Sequence, residues 1–256
     1  MPGLFVAMLL FPQTASAAAV HPAPDRMLSL VPRGSEGAEY CSEDRRWCVS
    51  LSEAQDAEAP VLPVVRTGDP APPMPHARSE AYSNETYAVW PRLILLKDGG
   101  FLAGVETRTS TAYSGGGGSA TELQLFRLAL DGQAPKPVLQ VPVGASLLIR
   151  ACFSERDMRY RRGACHDEYS FSASLTLAGE TTGSLPALAY STEARAFPRG
   201  VSRTEDSTAK PRLKKSDLVH ERDPECSFAR RFRFDAAAGA YRPDAPLPEC
   251  SAYTIP

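Results

Sequence analysis

The sequence predicts an all-β protein, built as an antiparallel meander of hairpins that is stapled by disulfides and contains little helix. Short stretches with strand patterns recur from residue 87 onward, and turns rich in Gly and Asp separate them. Six cysteines lie as three close pairs along the chain. A sandwich and a propeller-like meander both fit, because Phe126 and Phe232 begin two loosely similar stretches.

The clearest strand signal is the alternation that follows Cys165. Asp167, Tyr169, Phe171, Ala173, Leu175 and Leu177 would share one face, and Ser170, Ser172, Ser174 and Thr176 the other. Upstream, Asp98-Gly99-Gly100 supplies the turn of a hairpin between two apolar stretches. Residues 198–225 are polar and charged, and we interpret them as a surface excursion with at most one helical turn after Lys214.

The N-terminus has the layout of a secretory signal peptide, which we assign to residues 1–19. An apolar stretch over residues 4–11, too short to span a bilayer, precedes Ala15-Ser16-Ala17. No later apolar run predicts a transmembrane segment in the mature chain. Arg outnumbers Lys and Asn is nearly absent, a bias typical of GC-rich bacterial genomes, so we expect a periplasmic or secreted bacterial protein.

Beyond the signal peptide, residues 20–40 lack periodicity and suggest a flexible leader. Residues 41–256 are expected to form a single β-rich domain, interrupted by a Pro-rich connector at 59–76 with an edge strand at Val61–Arg66. An oxidising compartment favours disulfides. Six cysteines permit 15 pairings, and proximity along the chain favours Cys41–Cys48, Cys152–Cys165 and Cys226–Cys250.

Charge and motifs exclude several function classes. The formal net charge of −2 argues against a general binder of nucleic acid or membrane surfaces. The glycine run at residues 115–118 lacks the lysine of a phosphate-binding loop, so no nucleotide or other cofactor is expected. No metal is expected either, because the cysteine and histidine spacing does not match a zinc site.

The stretch from Arg150 to Leu177 raises the sharpest question, because its two cysteines enclose a highly charged segment. His166, Asp167 and Glu168 are neighbours on a predicted strand, so they point to alternate faces and do not converge on one substrate atom. No nucleophile motif accompanies them. We therefore interpret the stretch as a long hairpin loop closed by a disulfide.

Within that loop, Arg159, Tyr160, Arg161 and Arg162 are the candidate ligand-binding residues, since arginines beside an aromatic ring suit an anionic group. The opposing interpretation is a solvated tip whose acidic residues balance the arginines. We favour a non-catalytic binding or accessory protein of the bacterial envelope, whose partner is an anionic envelope component or another envelope protein. The alternative is a hydrolase that acts on envelope polysaccharide or ester.

Overall fold

The computed structural model describes residues 24–33, 39–52, 60–68, 84–129, 133–179 and 183–256, so the predicted signal peptide lies outside the described residues. These ranges contain fourteen strands, two short α-helices and one 3-10 turn at Lys215–Asp217. The strands are β1 (Arg26–Ser29), β2 (Val31–Arg33), β3 (Glu39–Cys41), β4 (Trp47–Leu51), β5 (Pro63–Thr67), β6 (Glu85–Leu95), β7 (Phe101–Tyr113), β8 (Gly116–Leu128), β9 (Lys136–Arg150), β10 (His166–Leu177), β11 (Leu188–Phe197), β12 (Glu221–Arg222), β13 (Ala229–Asp235) and β14 (Ala240–Pro243). The helices are α1 (Glu155–Tyr160) and α2 (Ser251–Thr254).

The strands form two antiparallel sheets, which confirms the predicted fold class. The larger sheet has ten strands in the order β1-β6-β7-β8-β9-β10-β11-β13-β14, and β12 also pairs with β11. From β6 to β11 every strand pairs with its successor in the sequence, as a meander requires. The smaller sheet has the order β2-β3-β4-β5.

The larger sheet folds back on itself and encloses the main core. Side chains from β6–β9 and from β10–β14 belong to one buried cluster, which includes Trp90, Ile94, Leu102, Leu123, Leu125, Val141, Leu175, Leu188, Tyr190, Phe232 and Tyr241. The Tyr190 hydroxyl donates to the carbonyl of Pro142 at 2.6 Å and so ties β11 to β9. Each large apolar side chain buried here contributes about 1.5–3 kcal/mol to folding.

The smaller sheet packs on β6 and β7. The prediction of a flexible leader at residues 20–40 was wrong for the part of it that the structure describes. Residues 26–33 form β1 and β2, and β1 pairs with β6. Leu30 is buried with Val49, Val89 and Leu93 in a second apolar cluster, so burial orders the segment. The predicted edge strand in the Pro-rich connector is present as β5 at the edge of this sheet.

The alternating residues of β10 divide as predicted. Tyr169 and Phe171 are buried, whereas Ser170 and Ser172 are exposed. The C-terminal segment covers the apolar face, because Phe171 packs with Cys226, Cys250 and Tyr253. Tyr253 of this segment also packs with Leu147 and Tyr169, near the ends of β9 and β10 from which the stapled loop departs.

The three cysteine pairs are those predicted. Cys41–Cys48, Cys152–Cys165 and Cys226–Cys250 have Cα separations of 4.0, 4.9 and 5.7 Å. Cys41 and Cys48 face each other directly across β3 and β4. In the described part of the chain, no helix is long and apolar enough to cross a membrane.

Candidate functional site

The charged stretch after β9 is a loop closed by a disulfide, which answers the question that the sequence raised. We call residues 152–165 the stapled loop. At its mouth Arg150 pairs with His166 across β9 and β10, and the Ala151 amide donates to the Cys165 carbonyl at 2.9 Å. Both cysteines are consumed by the disulfide, so neither offers a thiolate to a metal.

The stapled loop contains a helix that the sequence analysis did not predict. Ser154 caps α1 by accepting a hydrogen bond from the Asp157 amide at 3.2 Å. The Asp157 carboxylate in turn accepts from the Phe153 amide at 3.0 Å. The hydrogen bond from the Phe153 amide, and then one between the Ser154 side chain and the carboxylate, lower the pKa of Asp157, so it remains ionised at the start of the helix. The Ser-x-x-Asp spacing is a capping signal that was available in the sequence.

A buried polar network fixes the loop from beneath. Arg161 and Asp167 are each only 4% exposed, and Ser207 is 8% exposed. The Arg161 Nη2 and the Ser207 hydroxyl donate to the two different carboxylate oxygens of Asp167. The Arg161 Nε also donates to the carbonyl of Ala164 at 2.8 Å. A buried charge needs such complete pairing, so the network holds the loop, β10 and the segment around residue 207 together.

A second contact anchors the outer end of α1 to the surface excursion at residues 198–225. The amide of Leu213 donates to the Tyr160 carbonyl at 3.0 Å, and the Arg162 Nε donates to the Leu213 carbonyl at 2.9 Å. Arg162 has φ +53°, a backbone conformation that side-chain-bearing residues seldom adopt, and the next residue, Gly163, has φ +83°. The bond to Leu213 therefore stabilises an otherwise unfavourable turn.

Between α1 and residues 207–211 lies a cavity of about 440 Å³. Its lining includes Arg156, Tyr160 and Arg161 from the loop, and Thr208 and Lys210 from the facing segment. The guanidinium of Arg156 lies 5.1 Å from the centre of the Tyr160 ring, within the range of a cation–π contact. A cavity of this size, lined by polar groups, suits a sugar-sized or smaller polar ligand.

The four predicted ligand-binding residues fall into two groups. Arg159, Tyr160 and Arg162 are exposed, and Tyr160 faces the cavity. Arg161 is buried and paired with Asp167, so its charge is neutralised inside the protein and its role is to position the loop. Arg156 also lines the cavity, although it was not among the predicted ligand-binding residues. Ser207 was not predicted, because nothing local marks a serine 40 residues downstream as a partner of Asp167.

A second cavity of about 340 Å³ lies on the other side of the buried network. Its lining includes three acidic residues: Asp167, Glu205 and Asp206. Asp167 is committed to Arg161 and Ser207. A hydrogen bond and ion pair with Lys210 lower the pKa of Glu205, and hydrogen bonds from Thr208 lower the pKa of Asp206. Glu205 and Asp206 are therefore stabilised in the ionised form, and both bring negative charge to this cavity.

The described residues hold one compact group of metal-type ligands, Glu39, Cys41 and Cys48. Its two cysteines form a disulfide, so the group does not provide thiolate ligands. His166 is exposed at the start of β10, while Asp167 beside it points inward, as the alternation of a strand requires. Comparisons of the chain with protein-family models, curated proteins and solved structures give no match.

Proposed function

We propose that this chain is an exported, non-catalytic binding or accessory protein of the bacterial envelope, and that the stapled loop binds an anionic group of an envelope component. The observation that carries the proposal is the triple anchoring of the loop. The disulfide, the buried Arg161–Asp167 pair and the Leu213 contact each fix a different part of it. Ordering a loop before binding reduces the entropy that binding must overcome.

The exposed side chains of the loop supply the chemistry. Arg156, Arg159 and Arg162 extend from this fixed backbone. Phe153, Met158 and Tyr160 are large, exposed and less polar, at 65%, 54% and 45% exposure. Arginine combines well with such groups, because its guanidinium both pairs with anions and stacks on flat surfaces.

A binding role accounts for the acidic groups better than hydrolysis does. A glycosidase needs a carboxylic acid whose pKa is raised, so that it can protonate the leaving group. The pKa values of Asp157, Glu205 and Asp206 are lowered instead. Among the described residues no histidine lines either polar cavity, so a triad is not favoured there.

Export is part of the same proposal. The three disulfides fit a protein that resides in an oxidising compartment. Together with the signal-peptide layout at residues 1–19, they support a periplasmic or secreted location.

Co-sedimentation with isolated bacterial envelopes tests the proposal. We expect the wild type to sediment at low salt and to be released at about 0.5 M NaCl, where charges on the surface are screened. The triple variant Arg156→Gln, Arg159→Gln, Arg162→Gln should remain in the supernatant. The matched control is Arg92→Gln, Arg233→Gln, Arg242→Gln, which removes the same charge from exposed positions on β6, β13 and β14.

The control variant should sediment as the wild type does. Equal sedimentation of both triple variants would contradict the assigned site. Release of soluble sugar or acyl fragments from the envelopes by the wild type would instead support the hydrolase alternative.

A further inference from the structure

A second basic segment lies against the stapled loop, although about fifty residues separate the two in the sequence. Residues 210–215 read Lys-Pro-Arg-Leu-Lys-Lys. Both backbone groups of Leu213 bond to the loop, the amide to Tyr160 and the carbonyl to Arg162. Arg212 and Lys214 flank Leu213, so their backbone lies close to the loop. Lys210 and Pro211 line the same cavity as Arg156 and Tyr160.

Together the two segments form what we call the basic rim. Its members are the exposed cations Arg156, Arg159, Arg162, Arg212, Lys214 and Lys215. Among the described residues only Arg159 of these six has a carboxylate within 4 Å, that of Glu155 at 3.5 Å.

Apart from Glu155, the nearby carboxylates bond to groups other than the side chains of the rim. Asp157 accepts the Phe153 amide, and Asp217 accepts the Lys214 amide at 2.7 Å. Glu205 and Asp206 line the second cavity, and Glu205 pairs with Lys210, which is not a member of the rim. A chain with a net charge of −2 thus concentrates positive charge in one place.

We infer that the ligand is a linear acidic polysaccharide, whose repeated anionic groups contact the whole basic rim while one sugar residue enters the cavity. This inference rests on the proposed function and names its ligand class. A single anion would engage only the loop arginines, whereas a chain of anions accounts for the second segment as well. Tyr160 offers an aromatic ring for a sugar face, and the exposed Thr208 adds a hydroxyl group at the cavity.

The shape of the region favours a polymer chain over a bilayer. Arg156 and Tyr160 line a cavity, and a flat lipid surface does not reach into one. Base stacking, which a nucleic acid would need, calls for several aromatic residues in a row, and the cavity has only Tyr160. Charge complementarity and concavity together point to the acidic polysaccharide.

Fluorescence anisotropy with a labelled polygalacturonate oligosaccharide tests the inference. We expect salt-dependent binding to the full mature chain, with a slope of log affinity against log salt that reflects several ion contacts. The variant Arg212→Gln, Lys214→Gln, Lys215→Gln should bind at least about tenfold more weakly, with a shallower slope. The loop triple variant should also lose affinity, and the Arg92, Arg233 and Arg242 control should not. Galacturonate monomer, as a competitor, should displace the probe from the wild type only at much higher concentration.

The outcomes separate the two proposals. Loss of affinity in the loop variant, with full affinity in the 212–215 variant, would overturn the polysaccharide inference and leave the proposed function standing. Full affinity in both variants would overturn both. Tighter binding to phosphatidylglycerol vesicles or to duplex DNA than to the oligosaccharide, at equal salt, would also overturn the inference.

Discussion

Arg161 and Asp167 form a buried ion pair within the most charged stretch of the sequence. Arg161 belongs to the stapled loop, and Asp167 is the second residue of β10. Ser207 completes the pairing from the surface excursion. The pair therefore holds the backbone of the loop in one position. The exposed arginines extend from that fixed backbone.

Breaking this pair should be costly. We predict that Arg161→Gln lowers the free energy of unfolding by about 3–5 kcal/mol, because Asp167 is left buried without its cationic partner. Urea denaturation followed by circular dichroism measures the change. The control is Arg159→Gln, which removes a cation from an exposed pair and should cost no more than about 1 kcal/mol. Similar costs for both variants would contradict a structural role for Arg161.

The Cys152–Cys165 disulfide should contribute strongly to stability. In the chain-entropy description, closing a loop of this length stabilises the fold by about 3 kcal/mol. We predict that the double substitution Cys152→Ser, Cys165→Ser lowers the melting temperature accordingly, with the largest rise in hydrogen exchange at residues 153–164. A uniform rise in hydrogen exchange along the chain, or an unchanged melting temperature, would contradict a stabilising role of this disulfide.

Glu106 should make stability depend on pH. It lies on β7 beside the main core, and burial raises the pKa of its carboxyl above the ordinary value of 4.5. The folded state thus holds this proton more tightly than the unfolded state, so its contribution is present below about pH 4.5 and is lost as the pH rises through the folded-state pKa. Glu106→Gln should therefore stabilise the protein at pH 7 relative to the wild type, and much less at pH 4. Chemical denaturation at the two pH values measures this, and an equal effect at both would show that burial of Glu106 is not the cause.

Export predicts a processed N-terminus. We expect the mature chain to begin near Val20, after the small residues that follow the apolar stretch. Mass spectrometry of protein from its native host decides the point. A chain that retains Met1 in the periplasm or medium would contradict cleavage.

The sequence was sufficient for the fold class and for the disulfides, because both depend on local patterns. Alternation along β10 and the turn at Gly99 come from neighbouring residues, and each cysteine bonds to the nearest one. The strands at residues 26–33 were not predicted, because they depend on the burial of Leu30 in a cluster formed by distant strands. In the glycine run, Gly115 lies in the turn between β7 and β8, whereas Gly116–Gly118 belong to β8. A side chain at Gly116 would collide with the Leu148 carbonyl, and one at Gly118 with the Ser146 carbonyl, so these two glycines allow the close approach of β9.

The candidate site was only half visible in the sequence. The loop arginines and Tyr160 stand together along the chain, and three of those four predicted residues are exposed. The burial of Arg161 and the hydrogen bonds of Ser207 and Leu213 to this region depend on tertiary contacts between segments 40–50 residues apart. The charges within the loop alone therefore underestimate the positive surface, because the fold brings the basic residues at 210–215 beside the loop.

The central claim is that the stapled loop is ordered before it binds an anionic ligand, and one comparison of affinities tests it most directly. Titration calorimetry with polygalacturonate, at a temperature where circular dichroism shows each protein folded, compares the wild type with Cys152→Ser, Cys165→Ser. The variant Cys41→Ser, Cys48→Ser, which removes a disulfide from the smaller sheet, is the control. We predict about tenfold or greater loss of affinity for the first variant, with a more unfavourable entropy, and no loss for the control. Equal affinity of the wild type and the loop variant, or no binding by the wild type, would contradict the claim.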